Sequence, residues 1–244
     1  MSKSTERAIH QVPKPALVLL AAALALQIGW QALQPKPVAR AEALGVPAPQ
    51  AVLQAASLGE PIALAQWLTL YLQAFDNQPG VSIPFQDLDY PRVIRWLETI
   101  LGLDPLTEYP LMMAAQLYSQ VPVEAKQRLM FEFVHRKFLE DPDRRWRWLA
   151  HCAILAKHRL HDMPLALSYA QDITRHARAA SDWARQMRIF ILEDMGELES
   201  ATVLLGGLLA SGEITDPKEI HFLTERLEEL KNAEKSSPAS KNRQ

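Results

Sequence analysis

The sequence predicts an all-α chain: a single N-terminal transmembrane helix followed by a short α-solenoid of antiparallel helix pairs. Three observations predict it. Residues 15–34 form an apolar run without a charged side chain. From Asp87 onward apolar residues recur at helical spacing between turns marked by Asp-Pro or Gly, and no alternating stretch of any length competes. The turns themselves repeat: Asp104-Pro105, Asp141-Pro142 and Ala179–Ser181 lie about 37 residues apart, the period of a two-helix repeat.

The first element is "PALVLLAAALALQIGWQALQ", preceded by a basic tail, residues 1–14. Roughly 20 residues rising 1.5 Å each span about 30 Å, the thickness of the hydrocarbon core. Pro13, Pro15, Pro35 and Pro37 bracket the helix, and Trp30 suits an interfacial position. Ala39-Arg40-Ala41 resembles a signal-peptidase pattern, but the apolar run exceeds the roughly 7–15 residues of a cleaved signal. The expectation is an uncleaved anchor. Lys3, Arg7 and Lys14 outweigh Lys36 and Arg40, which predicts N-in, C-out topology, with the soluble part in the periplasm of a bacterial inner membrane.

Residues 35–60 read as a Pro/Ala-rich spacer with one short helix near 50–57. "IALAQWLTLYLQAF" is apolar almost all round, so a buried helix is expected over about 61–75. Residues 76–86, "DNQPGVSIPFQ", form a loop interrupted by Pro79-Gly80 and Pro84. Its Val81, Ile83 and Phe85 either meet a partner or cover the first helices. Asp89 caps the next helix, with Pro91 in its first turn and Val93, Ile94, Trp96, Leu97, Ile100 and Leu101 as its stripe. Three helix pairs follow: "EYPLMMAAQLYSQ" with "PVEAKQRLMFEFVHRKFLE", "DPDRRWRWLAHCAILAKHRLH" with "DMPLALSYAQDITRHAR", and "SDWARQMRIFILEDM" with "ELESATVLLGGLLASG". Gly206-Gly207, inside a helix, suggest a close crossing. A last helix opens at Asp216-Pro217. The helical-repeat domain thus covers 61–232, and the polar residues 233–244 form a disordered tail.

Over about residues 87–212 the chain resembles the tetratricopeptide-repeat (TPR) class, without its full consensus signature. Ala125, Ala166 and Ala201 stand where that class places its crossing alanine, with Leu129, Ala170 and Leu205 four residues later. Tyr118, Leu155 and Phe190 sit late in each first helix. The wording "LQAFDNQPGVSIPF…RRWRWLAH…AKHRL" is also similar to a proteobacterial membrane-anchored family. The resemblance implies a TPR-like groove for a protein partner and no activity.

Residues 143–162, "DRRWRWLAHCAILAKHRLHD", test the alternative of a chemical site. On a helical wheel Trp146, Leu149, Ala150, Ala153, Ala156 and Leu160 take one face and Trp148, Cys152 and Leu155 another. Two apolar faces mean a helix packed on both sides, with Arg144, Arg147, His151 and His158 left between them as outward positions. His151 and His158 are about 10.5 Å apart along the axis, too far to share one ion. Cys152 and His151 point about 100° apart, unsuited to a nucleophile pair. Asp87 and Asp89 read as helix caps. No phosphate loop, zinc motif or nucleophile elbow occurs.

The formal charge of −2 conceals a pattern: residues 126–188 hold 13 Lys/Arg against 7 Asp/Glu, between acidic flanks. Either neighbouring helix pairs neutralise this basic middle or an acidic partner does. The expected function is a membrane-anchored, non-enzymatic interaction scaffold without cofactor or metal. Its candidate partner-binding residues are Arg144, Arg147, His151, His158, Arg185, Arg188, Val81, Ile83 and Phe85. The alternatives are an accessory subunit or assembly factor using its transmembrane helix, and binding of nucleic acid or an anionic surface. The latter is disfavoured because Trp146 and Trp148 read as core residues rather than stacking platforms.

Overall fold

A computed structural model of the protein describes residues 13–34, 41–212 and 214–236, with side chains to residue 233. Lys3, Arg7, Lys36 and Arg40, on which the orientation expectation rests, lie outside the described residues, as does the tail beyond Ser236. Contacts divide the chain into two units: residues 1–41 with 79–81, and residues 42–78 with 82–244.

The first unit carries α1 (Lys14–Leu33), opened by Pro15 in its first turn. Its only charged residue is Lys14, no residue in it is buried, and it is long and apolar enough to cross a membrane.

The second unit is helical almost throughout: α2 (Gln50–Ala56), α3 (Pro61–Ala74), α4 (Tyr90–Leu103), α5 (Tyr109–Met112), α6 (Glu124–Glu140), α7 (Pro142–His158), α8 (Met163–His176), α9 (Asp182–Asp194), α10 (Leu198–Ser211) and α11 (Pro217–Ser236). Local chemistry sets the starts. Asp89 and Asp162 accept hydrogen bonds from the backbone N–H of Arg92 and Leu165, and a proline stands in the first turn of α4, α7 and α8. Between α3 and α4, residues 76–86 contain two-residue strands, Asn77–Gln78 and Val81–Ser82, and end in a 3-10 turn, Phe85–Asp87. Gly80 between the strands has φ +78°, which favours glycine. α5 does not stay regular: it widens into a π turn over Met113–Leu117 and tightens into a 3-10 turn over Tyr118–Gln120.

Each of α6 to α10 packs on the helix that follows it, as does α3 on α4; α4 also meets α6, α5 meets α7, and α7 meets α9. The main apolar cluster runs from Leu44 to Ile191 and includes the fully buried Leu97, Phe131, Phe133 and Phe138. A second cluster joins Ile189, Leu192, Ala201, Leu205, Leu223 and Leu230. Polar ties add to the packing at one recurrent separation. Hydrogen bonds join Gln73 to Tyr109, Arg136 to Glu98, Arg145 to Pro105, Trp148 to Glu108, His135 to Asp172, Asp143 to Ala179, Lys157 to Asp194 and Arg159 to Gln120, each 36 to 40 positions apart.

Several local expectations change. α3 buries only Ala65, Leu68 and Leu72, while Ile62, Trp67 and Leu70 stand exposed, because α4 and α2, the helices that pack most on it, leave its other side open among the described residues. Ala166 and Ala201 are buried, but Ala125 is exposed, and Gln127 is the buried residue of that turn. Gly206 and Gly207 are not at a close crossing, since a Cβ at either would meet nothing within 4 Å. α11 continues to Ser236, into the segment expected to be disordered. Trp146 is half-buried rather than enclosed, resting edge-on against the exposed Trp183 at 5.7 Å between ring centres.

Truncating Phe133 to Ala should therefore cost about 3–5 kcal/mol, the range for a large buried ring. Trp146→Ala should cost about half as much, since only part of its surface is removed from water. Denaturant unfolding of the two variants checks both the size and the order.

Candidate functional site

The basic helix α7 is packed as its two apolar faces predict. Leu149, Ala150, Cys152, Ala153 and Ala156 are all fully buried, with α6, α8 and α9 against it. Burial pushes the Cys152 thiol pKa well above its ordinary range, so it is a small core residue and a poor nucleophile.

The charged side chains of α7 are largely engaged. Arg144 pairs with Asp141 at 2.9 Å, and Arg147 lies 3.6 Å from Glu108. The same Glu108 carboxylate accepts a hydrogen bond from Trp148 Nε1 at 3.1 Å. Arg145 is not on the basic face at all: it is 5% exposed, and its guanidinium donates to the backbone carbonyls of Lys137 (2.6 Å) and Pro105 (3.1 Å) and to Glu140 (3.2 Å). His158 is exposed. His151 is not an outward residue; it is half-buried, its Nε2 is buried without a hydrogen-bond partner, and burial lowers its pKa.

Carboxylates of the same helix or of another segment pair with most of the other cations of residues 126–188. Arg128 bridges Glu124 and Asp162, Arg136 meets Glu98, Lys137 meets Glu140, and Lys157 meets Asp194. Arg175 pairs with Asp172 and Arg185 with Asp182, while Lys126 and Arg159 donate to backbone carbonyls of other segments. Hydrogen bonding to Arg128 follows the backbone bond from Leu165 among the causes that hold Asp162 below the usual carboxylate range.

One group of basic residues is gathered around a space. Arg185 and Arg188, one turn apart on α9, join Arg178 in the turn after α8 around a cleft of about 400 Å³ whose far wall is α10. Arg144, Arg147, His151 and His158 do not line it. Arg178 was legible only as one more cation of the basic run, because its place beside α9 depends on the turn between the helices. Ile83 and Phe85, for which the sequence leaves partner contact and cover of the first helices both open, pack partly buried against the main core; Phe85 meets Tyr118 edge-on at 5.6 Å, and Val81 is half-buried. Half-buried as they are, Ile83 and Phe85 cover part of the core and keep part of their apolar surface in water.

Among the described residues no group of three or more His, Cys, Asp or Glu is arranged to hold a metal ion. No family model, no curated protein and no solved structure matches the chain.

Two measurements check this description. Cys152 should resist alkylation in the folded protein and react on unfolding; modification of the native protein at the rate of a free thiol would contradict its burial. His151 supplies a pH signature. Its folded pKa lies below the ordinary 6.5, so the unfolded chain takes up the proton first as pH falls. Its stabilising contribution is complete above that value and declines as pH drops toward the lowered folded pKa. His151→Gln should flatten this part of a stability-versus-pH curve.

Proposed function

We propose that the protein is a membrane-anchored interaction scaffold. In this reading α1 spans a bacterial inner membrane N-in, C-out, and the following helices form a TPR-like solenoid that presents a basic face to an acidic protein partner. The observation that supports the reading is the set of polar ties between residues 36 to 40 positions apart, the separation that a two-helix repeat would bring together. Such stacking is what repeat architectures use to bury a core that no single pair can bury alone, and it leaves an extended surface for recognition. No catalytic role is assigned to any residue. Nucleic-acid binding is disfavoured because Trp146 and Trp148 are half-buried and Trp148 is bonded to Glu108, so neither is a platform for bases.

A second reading makes the protein an accessory subunit of a membrane complex. Ala21, Ala22, Ala25 and Gly29 give α1 a small-residue face that nothing covers, which suits close approach of another transmembrane helix. Replacing α1 by a poly-Leu span separates the readings: an anchor tolerates the exchange, and a helix–helix interface does not.

Extraction of the full chain in mild detergent at about 0.05 M salt should recover a protein partner in fixed proportion, and about 0.5 M salt should release it, because screening shortens the range of exposed charges several-fold. Recovery of the chain alone at low salt would contradict the scaffold reading. A periplasm-active reporter fused after Gln244 should be active; activity of a cytoplasmic reporter there would reverse the orientation.

A further inference from the structure

Every Lys and Arg of residues 126–188 has a hydrogen-bonded or ion-paired partner except two, Arg178 and Arg188, among the described residues. Both line the same cleft, beside Arg185. Arg188 is half-buried, and its Nε is buried with no hydrogen-bond partner. A guanidinium has only donors and stays charged, so it cannot relieve such a position by losing a proton. Leaving its donors unmet costs free energy that a bound anion would return.

The opposite wall has a different character. Val203 is 68% exposed, and Leu204 and Leu208 are half-buried, so α10 offers an apolar surface to the cleft. Gly207 opens that wall, because a Cβ there would meet nothing within 4 Å. No carboxylate lines the cleft among the described residues. Guanidinium groups facing an apolar wall suit a ligand with both an anionic and an apolar part, and a fork-shaped donor set matches a carboxylate. The volume, about 400 Å³, lies in the range of built ligand sites.

We propose that the cleft between α8, α9 and α10 binds an acidic side chain flanked by apolar ones, in a peptide segment of the protein partner. The proposal rests on the scaffold reading and names where and by what chemistry the partner docks.

The test uses the full chain in nanodiscs of uncharged lipid and two fluorescent octapeptides, alternating Glu-Leu and its Gln-Leu isostere, with empty discs as the blank. The Glu-Leu peptide should bind at least about 10-fold more tightly than the isostere, as expected for a hydrogen-bonded charge pair. Arg178→Gln and Arg188→Gln should each weaken it about 5-fold or more, while Arg136→Gln, outside the cleft, leaves it unchanged. Unaltered thermal unfolding of each variant shows that the fold is retained. Equal affinity for the two peptides, or full affinity in Arg188→Gln, would overturn the proposal. Displacement of the peptide by discs containing anionic phospholipid would also overturn it, in favour of a lipid ligand. Loss of peptide binding beside a retained membrane partner removes the cleft and leaves the scaffold; a bound peptide with no membrane partner does the reverse.

Discussion

A buried arginine adds polar ties to segments of this fold that also pack together, the end of α6, the start of α7 and the turn after α4. Arg145 enters from the first turn of α7 and hydrogen-bonds the carbonyl of Lys137, near the end of α6, and that of Pro105, in the turn after α4. The last carbonyls of a helix and those of a turn lack intrahelical partners, so a donor that reaches one of each satisfies groups that water would otherwise have to reach. Glu140, more than half exposed, supplies the opposing charge from the edge of the site. The guanidinium is thereby neutralised without a fully buried ion pair, whose desolvation cost is high.

The remaining cations follow the same pattern with less burial. Arg136, Arg147, Lys157 and Arg159 each reach a different helix or turn, and the partner there is an acid or a backbone carbonyl. Exposed ion pairs contribute little individually, about 0–1 kcal/mol. Their effect here is on register: a carboxylate on one pair and a cation on the next penalise any slip between them. The basic block of the sequence is therefore met mainly by groups of the chain itself. Arg178 and Arg188 stand apart because no hydrogen-bond or ion-pair partner meets them among the described residues, and an apolar wall lines the same cleft.

Much of the architecture was legible because it depends on local chemistry. Asp89 and Asp162 cap helices as their position before a proline and an apolar run requires. The two apolar faces of α7 translate directly into burial on both sides. Other features were hidden because they depend on the neighbours an element finds. α3 is apolar all round, yet the chain provides helices for one side only, and periodicity carries no information on that. Arg145 differs from Arg144 and Arg147 in nothing but its angle on the helix, and that angle points to a turn 40 residues away. His151 lies between two apolar faces, and its burial depends on how closely the adjacent helices approach. At the cleft, Arg185 and Arg188 were readable as neighbours at i, i+3. Arg178 and the open space beside Gly207 were not, since both arise from the crossing of α8 and α10 over α9.

The central claim is that Arg145 couples two helix pairs across the turn at Pro105. Native-state hydrogen exchange on Arg145→Gln, compared with the unaltered chain, tests it most directly. The account predicts that protection falls together at the end of α6 and in the segment following Pro105, two regions far apart in sequence, while α10 and α11 keep theirs. Unchanged protection in the segment after Pro105, with loss confined to α7, would contradict it.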